Sequence, residues 1–273
     1  RAKQLDLPEI GTPSVPVLYI EMDGTGVPVV KTETEGRSGK VDGQPAHTRE
    51  VKLGCVFTQT TTDAEGRPMR DQGSTTYTGA IETAEQFGLR LYTEAWHRGW
   101  SRAQKRVVLG DGAVWIWNLA DQYFPGAIQV VDLYHARQHL WELSPKLFPN
   151  DERARKRWIA RCLGWLDHGK IERLVKSLGE LQPANEELAQ LIHNQADYFH
   201  RNADRMRYPR FRDQGLFVGS GVIEAGCKTV IAARLKRSGM FWTVRGANAI
   251  IALRCSRLSR RFEDYWESRQ RAA

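Results

Sequence analysis

The amino-acid sequence predicts an α/β protein built on a mixed sheet, and three observations along the chain support this fold class. Residues 1–80 contain three segments of strand character, residues 80–148 alternate between helical and strand patterns, and residues 150–212 are helical throughout. Consecutive strands favour antiparallel pairing, whereas strands separated by helices favour parallel pairing. We therefore expect the later strands to be parallel and buried.

Three early segments have the residue pattern of strands. The first is the apolar run VPVLYIEMDG, the second is TREVKLGCVFTQ with period-two alternation, and the third and weakest is QGSTTYTG. The polar stretch KTETEGRSGKVDGQPAH between the first two is rich in Gly and charge, which predicts an exposed loop or a long hairpin.

The middle of the chain alternates between the two periodicities. Helical spacing over AIETAEQFGLRLYTEAWHRG is followed by a strand at KRVVLGDG, a helix at AVWIWNLADQYF, a strand at AIQVVDLYH and a helix at ARQHLWELSPKLF. From about residue 150 to 212 every segment has helical periodicity, which predicts an all-α insertion. Two further helices are expected to begin near Ser220 and Thr243, because both residue types are good N-caps.

Positive charge is concentrated in the later part of the chain. Residues 1–100 contain 11 Lys or Arg and 14 Asp or Glu, whereas the remaining 173 contain 29 and 18, within an overall net charge of +8. Residues 224–261 carry nine basic side chains and a single acid, Glu224. Such a run is often only a solvated helix face, but it also suits binding to a polyanion such as DNA, because basic side chains displace the counterions of phosphates.

Composition excludes several other classes of protein. No apolar run is long enough to span a membrane, so we expect a cytoplasmic protein without a membrane partner. Since the chain starts at Arg1 rather than Met, we expect its natural N-terminus to lie upstream. The four cysteines are scattered without a CxxC pair, which favours reduced thiols. The VGSG segment lacks the Lys-Ser/Thr of a phosphate loop, so nucleotide binding is not expected.

Three aspartates are expected at the ends of strands. Asp23 ends the first strand, Asp111 ends the RVVLG strand and Asp132 ends the AIQVV strand. Ligand chemistry in parallel α/β sheets collects at the carboxyl ends of strands, although a single Asp there is more often a helix cap or a turn former. Neighbouring carboxylates repel each other unless a cation lies between them, and oxygen ligands favour Mg²⁺ or Mn²⁺.

A second arrangement of ligands is also compatible with the sequence. Asp132, His135 and His139 are spaced by three and four residues at the entry to a helix, which is the spacing of a carboxylate-and-two-histidine zinc or iron site. Histidines on amphipathic helices are, however, commonly hydrogen-bonded structural residues, and the HExxH pattern is absent.

Three ordered blocks carry a resemblance to a known family. They are EMDGTGVP, the stretch from LGDGAVWIW to FPGAIQVVDLYHARQHLWEL, and GLFVGSGVIEAGCKTVIAARLKRSGMFWTVRGANAIIALR. Together, over about residues 15–258, they resemble the catalytic portion of a bacterial insertion-sequence DDE transposase of the ISKra type, related to the Mutator-like group. The resemblance implies an RNase H-like core over residues 1–148 and 213–273, interrupted by the all-helical insertion at 149–212.

The resemblance also implies a catalytic site. Its acidic triad falls on Asp23, Asp111 and Glu224, which would bind two Mg²⁺ or Mn²⁺ ions, while Asp132 and His135 match a D-x-x-H element that supports the site. The implied chemistry is cleavage of a DNA strand and transfer of its 3′ hydroxyl end to a target in the transposition of a mobile element. The implied partners are double-stranded DNA, as element ends and as target, and further copies of the chain assembled on it in a bacterial, nucleoid-associated location.

The C-terminal basic segment would contact this DNA. The side chains expected to bind it are Lys228, Arg234, Lys236, Arg237 and Arg245, with Trp242 stacking on an unpaired base. Packing in the core is the alternative for Trp242, and it is the expectation for Trp115 and Trp117. Two other functions remain open: a domesticated relative that binds DNA without catalysis, and a nuclease of the same fold that cuts DNA without joining it.

Overall fold

A five-stranded mixed sheet forms the centre of the protein in a computed structural model, which describes residues 14–39 and 44–270, without the side chains of residues 265 and 268–270. The strand order is β5-β2-β1-β6-β7, with β2 antiparallel to both of its neighbours and with β1, β6 and β7 parallel. This arrangement confirms the predicted mixed α/β class and is that of an RNase H-like core. The strands are β1 (Val15–Pro28), β2 (Thr48–Gln59), β3 (Thr61–Thr62), β4 (Pro68–Met69), β5 (Thr76–Ala80), β6 (Ala103–Gly110) and β7 (Ile128–Val131).

Strand β1 is central because both of its faces are apolar. Leu18, Ile20 and Met22 are buried on one face, and Tyr19 on the other stacks on Phe57 of β2 with ring centroids 4.9 Å apart. A run buried on both faces is typical of the interior of a covered sheet. The sheet therefore fixes the backbone on which Asp23 lies.

Eleven α-helices are assigned in the part of the chain that the structure describes. Helix α1 begins with a capping box between Thr83 and Gln86, and α3 begins after Asp132, whose carboxylate accepts the backbone N–H of His135. The helices are α1 (Ala84–His97), α2 (Val114–Tyr123), α3 (Leu133–Leu147), α4 (Glu152–Asp167), α5 (Ile171–Gly179), α6 (Glu186–Arg201), α7 (Tyr208–Asp213), α8 (Gly221–Gly226), α9 (Ala233–Leu235), α10 (Val244–Leu258) and α11 (Phe262–Gln270).

Helices α4 to α7 bury apolar side chains at helical spacing, as expected for residues 150–212. Trp158, Cys162 and Leu166 of α4 belong to the same buried cluster as Ile192 and Phe199 of α6. Regular 3.6-residue spacing of these side chains explains why the sequence predicted helices here. The division into 1–148, 149–212 and 213–273 stays a prediction, and residues 1–13, 40–43 and 271–273 within it lie outside the described residues.

Several local features differ from expectation. Strand β1 does not end at Asp23, because its pairing with β2 continues from Gly24 to Pro28. Thr243 caps α10 as predicted, but the Ser220 side chain does not cap α8. The hairpin of β3 and β4, helix α11 and a π-helical turn at Cys227–Ala232 were not predicted. Within the described residues, none of the helices combines the length and apolar character that a membrane crossing requires.

Candidate active site

The three predicted aspartates lie toward the same end of the parallel strands β1, β6 and β7. Glu21 of β1 pairs with Leu109 of β6 as their last pair, and Asp23 and Asp111, which have the same separation of 88 residues, each lie two residues beyond it. Gly110 of β6 pairs with Val131 of β7, and the Asp132 N–H donates to the Gly110 carbonyl at 2.8 Å, so Asp132 follows on the next strand. Asp111 and Asp132 follow the carboxyl ends of β6 and β7, whereas Asp23 lies within β1, just beyond its last pair with β6.

Asp23 is half-buried and has a hydrogen bond on each carboxylate oxygen. Its Oδ1 accepts the Gly24 N–H at 2.6 Å, and its Oδ2 accepts the Cys227 thiol, with Sγ at 3.2 Å. Burial raises the pKa of Asp23, and the charge of Asp111 raises it further, while the two hydrogen bonds and His135 act in the opposite direction. Asp111 and His135 therefore both act electrostatically on Asp23.

The glycines that follow Asp23 make room for β2 rather than for a ligand. A Cβ at Gly24 would lie 2.6 Å from the Glu50 carboxylate, and a Cβ at Gly26 would lie 3.1 Å from the Thr48 hydroxyl. Both glycines therefore lie close to side chains of the paired strand β2.

Asp111 occupies a tight turn at the end of β6. Its Oδ1 accepts the Ala113 N–H at 2.8 Å, and its backbone carbonyl accepts the hydroxyl of Tyr198 at 2.8 Å. Gly112 has a positive φ of 100°, and a Cβ there would lie 2.6 Å from the Tyr198 ring. Helix α6 is thereby attached directly to the turn that carries Asp111.

Asp132 is fully buried and serves as a connector between two helices. Its Oδ1 accepts the His135 N–H at 2.6 Å, and its Oδ2 accepts the Ser220 hydroxyl at 2.6 Å and the Ser220 N–H. The helix-cap interpretation is therefore confirmed for Asp132. The carboxylate joins the start of α3 to the residue that precedes α8.

The alternative zinc or iron site at Asp132, His135 and His139 is not assembled. Nδ1 of His139 hydrogen-bonds to Gln195 at 2.8 Å, its ring stacks on Tyr198 with centroids 3.9 Å apart, and burial lowers its pKa. Over residues 14–39 and 44–270, no three His, Cys, Asp or Glu side chains form a group that could hold a metal ion. His139 is thus a packed structural residue.

Glu224 lies on the exposed side of the first turn of α8 and is not grouped with the two aspartates. It precedes Cys227 by three residues, so the two share a helix face, and Cys227 contacts Asp23. Burial raises the pKa of the Cys227 thiol well above its usual range, and the charge of Asp23 adds to this. Helix α8 therefore meets Asp23 through a protonated thiol, one turn away from Glu224.

Glu21 is a second acid of β1 that the sequence analysis missed. It is fully buried on the same face as Asp23; its Oε2 accepts the Ile223 N–H at 2.8 Å, and its Oε1 has no hydrogen-bond partner among the described residues. Burial raises the pKa of Glu21 to about 8. The sequence could have indicated that Glu21 lies beside Asp23, because residues two apart on a strand share a face.

The expected DNA-binding side chains lie on residues 228–245, from the π-helical turn to the start of α10, and we call their exposed members the basic face. Arg234 is half-buried, with its guanidinium 5.7 Å from the centroid of the Trp242 ring. Trp242 packs against the core and donates its indole N–H to the Leu235 carbonyl at 3.2 Å; base stacking by Trp242 stays a prediction. The exposed members are Lys228, Lys236, Arg237 and Arg245.

Comparisons with known proteins include a distant structural similarity. No protein-family model matches the chain. No curated protein matches it either. Among solved structures, a chain of the Drosophila P element transposase strand transfer complex is similar at a TM-score of 0.27 and 9% identity, over 92% of this chain and 66% of that chain.

Proposed function

We propose that the protein is a DDE transposase of the ISKra type, which cuts DNA and joins the freed 3′ end to a target. One observation supports the proposal: Asp23 and Asp111 each lie two residues beyond the last pair of β1 with β6, Glu21 and Leu109, at the same separation of 88 residues. The charge of Asp111 raises the pKa of Asp23, and a divalent cation relieves such repulsion between carboxylates.

The residues that would hold two Mg²⁺ or Mn²⁺ ions are Asp23, Asp111 and Glu224. Carboxylate oxygens suit these hard cations, and Asp23 and Asp111 supply such oxygens. Glu224 lies one helical turn from Cys227, the residue whose thiol contacts Asp23. When bound, the ions would supply an activated water, then an activated 3′ hydroxyl, and would stabilise the leaving oxygen.

The side chains around Asp23 control its availability as a ligand. Its Oδ2 must exchange the Cys227 thiol for a cation, and Cys227 begins the π-helical turn of residues 227–232. Such turns are frequent at functional sites because they re-aim the side chains of a helix. Asp132 holds the backbone at Ser220, just before the helix that carries Glu224. His135 acts electrostatically on Asp23 and lowers the pKa of its carboxyl.

The basic face would bind the phosphates of element ends and of the target. Lys228, Lys236, Arg237 and Arg245 are exposed around the helix that carries Glu224, and each phosphate contact releases counterions. We expect DNA affinity to fall steeply with salt and the active form to be a homo-oligomer assembled on DNA.

Strand joining tests the proposal. The purified chain, with Mn²⁺ or Mg²⁺, is incubated with a labelled DNA end and a plasmid. Nicked or joined products are expected from the wild type and from Glu186→Gln, a control in the exposed first turn of α6, but not from Glu224→Gln. Equal product from Glu224→Gln would refute the assignment of Glu224.

A DNA-binding relative without catalysis is a second candidate. It is favoured by the hydrogen bond that occupies Asp23 and by the lack of a three-ligand group among residues 14–39 and 44–270. Salt-sensitive DNA binding without any Mn²⁺ binding would support this candidate. A nuclease of the same fold would give metal-dependent nicks without joined products.

A further inference from the structure

Glu224 borders a cleft of about 930 Å³ that opens beside the candidate active site. The cleft is lined by Tyr134 of α3, by Arg212 of α7, by Arg67 between β3 and β4, and by the segment 216–221 that leads into α8. Its size is that of a small-molecule site, and its lining combines an aromatic ring, apolar side chains and glycine backbone with two arginines and the carboxylates of Glu65 and Glu224. The proposed reaction at Asp23 and Asp111 leaves this cleft without a role.

Tyr134 supplies a firmly held but exposed aromatic surface. Its side chain is 64% exposed in the first turn of α3, two residues after the buried Asp132. A Cβ at Gly219 would lie 2.8 Å from the ring, so the glycine backbone packs against its edge, and the Arg137 guanidinium lies 5.7 Å from its centroid. An aromatic ring that is fixed in place and open to solvent is suited to stacking with a planar base.

Arginines at the rim supply cations that suit a phosphate. Arg212 is exposed, and its guanidinium donates to the backbone carbonyl of Asp167 at 3.4 Å. Arg67 is also exposed and pairs with Asp63 and Glu65 at 3.8 and 3.4 Å. Guanidinium groups bind phosphate oxygens through two parallel hydrogen bonds, so a phosphate can compete with a backbone carbonyl for Arg212.

We propose that this cleft binds one unpaired nucleotide of the DNA strand on which Glu224 acts, with the base stacked on Tyr134 and its phosphate at Arg212. This inference rests on the proposed function, because it places the nucleotide next to the candidate catalytic acid. Duplex DNA would be bound by the basic face, and the cleft would receive a nucleotide only where the duplex has opened.

Binding of DNA ends without cleavage tests the cleft. In EDTA, a duplex with a short single-stranded overhang carrying 2-aminopurine is compared with the same duplex made blunt. For wild type we expect tighter binding of the overhang and quenched 2-aminopurine fluorescence. Tyr134→Ala should lose the quenching and bind the overhang about 5- to 100-fold more weakly, while binding the blunt duplex normally.

Two further variants guard against a merely structural effect. Tyr134→Phe keeps the ring and should retain the quenching. Trp141→Ala removes another aromatic side chain of α3, 53% exposed and outside the residues that line the cleft, and should change neither affinity. Equal losses for overhang and blunt duplexes in Tyr134→Ala, or no loss at all, would overturn the proposal.

Failure of the cleft proposal and failure of the proposed function give different results in the overhang-binding and strand-joining assays. Tighter binding of the overhang that depends on Tyr134 would support nucleotide binding in the cleft, whatever the result of the joining assay. Unchanged joining by Glu224→Gln would refute only the catalytic assignment of Glu224. Joining that depends on Glu224 with no effect of Tyr134→Ala on overhang binding would overturn the cleft alone.

Discussion

Replacing Glu21 by Gln should stabilise the protein increasingly as the pH rises. Glu21 is fully buried, accepts the Ile223 N–H through Oε2, and has a pKa raised from 4.5 to about 8. Below pH 4.5 the carboxyl is protonated in both the folded and the unfolded states, so its burial carries no charge penalty. Between 4.5 and 8 only the unfolded state releases the proton, and stability falls by about 1.4 kcal/mol per pH unit.

The Gln variant removes this titration while keeping an oxygen for the Ile223 N–H. The difference in free energy of unfolding between Glu21→Gln and wild type should therefore rise by about 4 kcal/mol from pH 4.5 to pH 8. Urea denaturation at four pH values between these limits measures it, and taking the difference between the two proteins cancels the other titrating groups. Glu35→Gln, a change at an exposed acid, is the control. A difference that does not grow with pH would refute the reasoning.

Three other substitutions test the contacts around the site. Asp132→Ala should lower the free energy of unfolding, measured by urea denaturation, by about 3 kcal/mol. The substitution leaves the buried donors of His135 and Ser220 without the carboxylate that accepts their hydrogen bonds. Gly112→Ala should lower the free energy of unfolding by about 2 kcal/mol or more, because φ is 100° and the added Cβ meets an aromatic ring. Gly126→Ala, where φ is 75° and the added Cβ meets no other atom, should lower it less in the same assay. Cys227→Ala frees an oxygen of Asp23 and should tighten Mn²⁺ binding about tenfold in calorimetry; unchanged affinity would contradict competition between thiol and cation.

The sheet could be predicted from the sequence because its strands have the apolar or alternating residue patterns of strands. The apolar run around Ile20 and the alternation of β2 are local signals, and the separation of 88 residues between Asp23 and Asp111 equals the register offset of β1 and β6. Parallel neighbours of similar length bring residues at matching positions together. That both acids lie toward the carboxyl end of the sheet could be expected from the sequence, whereas the register offset that matches their separation is known only from the structure.

The rest of the site depends on contacts that have no local pattern. Cys227 was given no role because nothing near it in sequence points to Asp23, 204 positions away. Ser220 was expected to cap its own helix, but its side chain donates to Asp132, 88 residues away, because a buried carboxylate is the stronger acceptor. Glu21 was overlooked because an acid in an apolar strand contradicts the burial preferences on which strand prediction depends.

The position of Glu224 follows from these distant contacts. Glu21 accepts the Ile223 N–H, and Asp132 accepts both donors of Ser220, so two buried acids hold the backbone on the N-terminal side of Glu224. Moving α8 would leave these buried groups without hydrogen-bond partners, at a cost of several kcal/mol in free energy. The Glu224 side chain is exposed and can change rotamer at a small cost in free energy. If Glu224 completes a metal site with Asp23, it should do so by rotation of its side chain. Hydrogen exchange at the amides of Ser220 and Ile223 should accordingly stay equally slow when Mn²⁺ is added, and faster exchange would show that α8 itself moves.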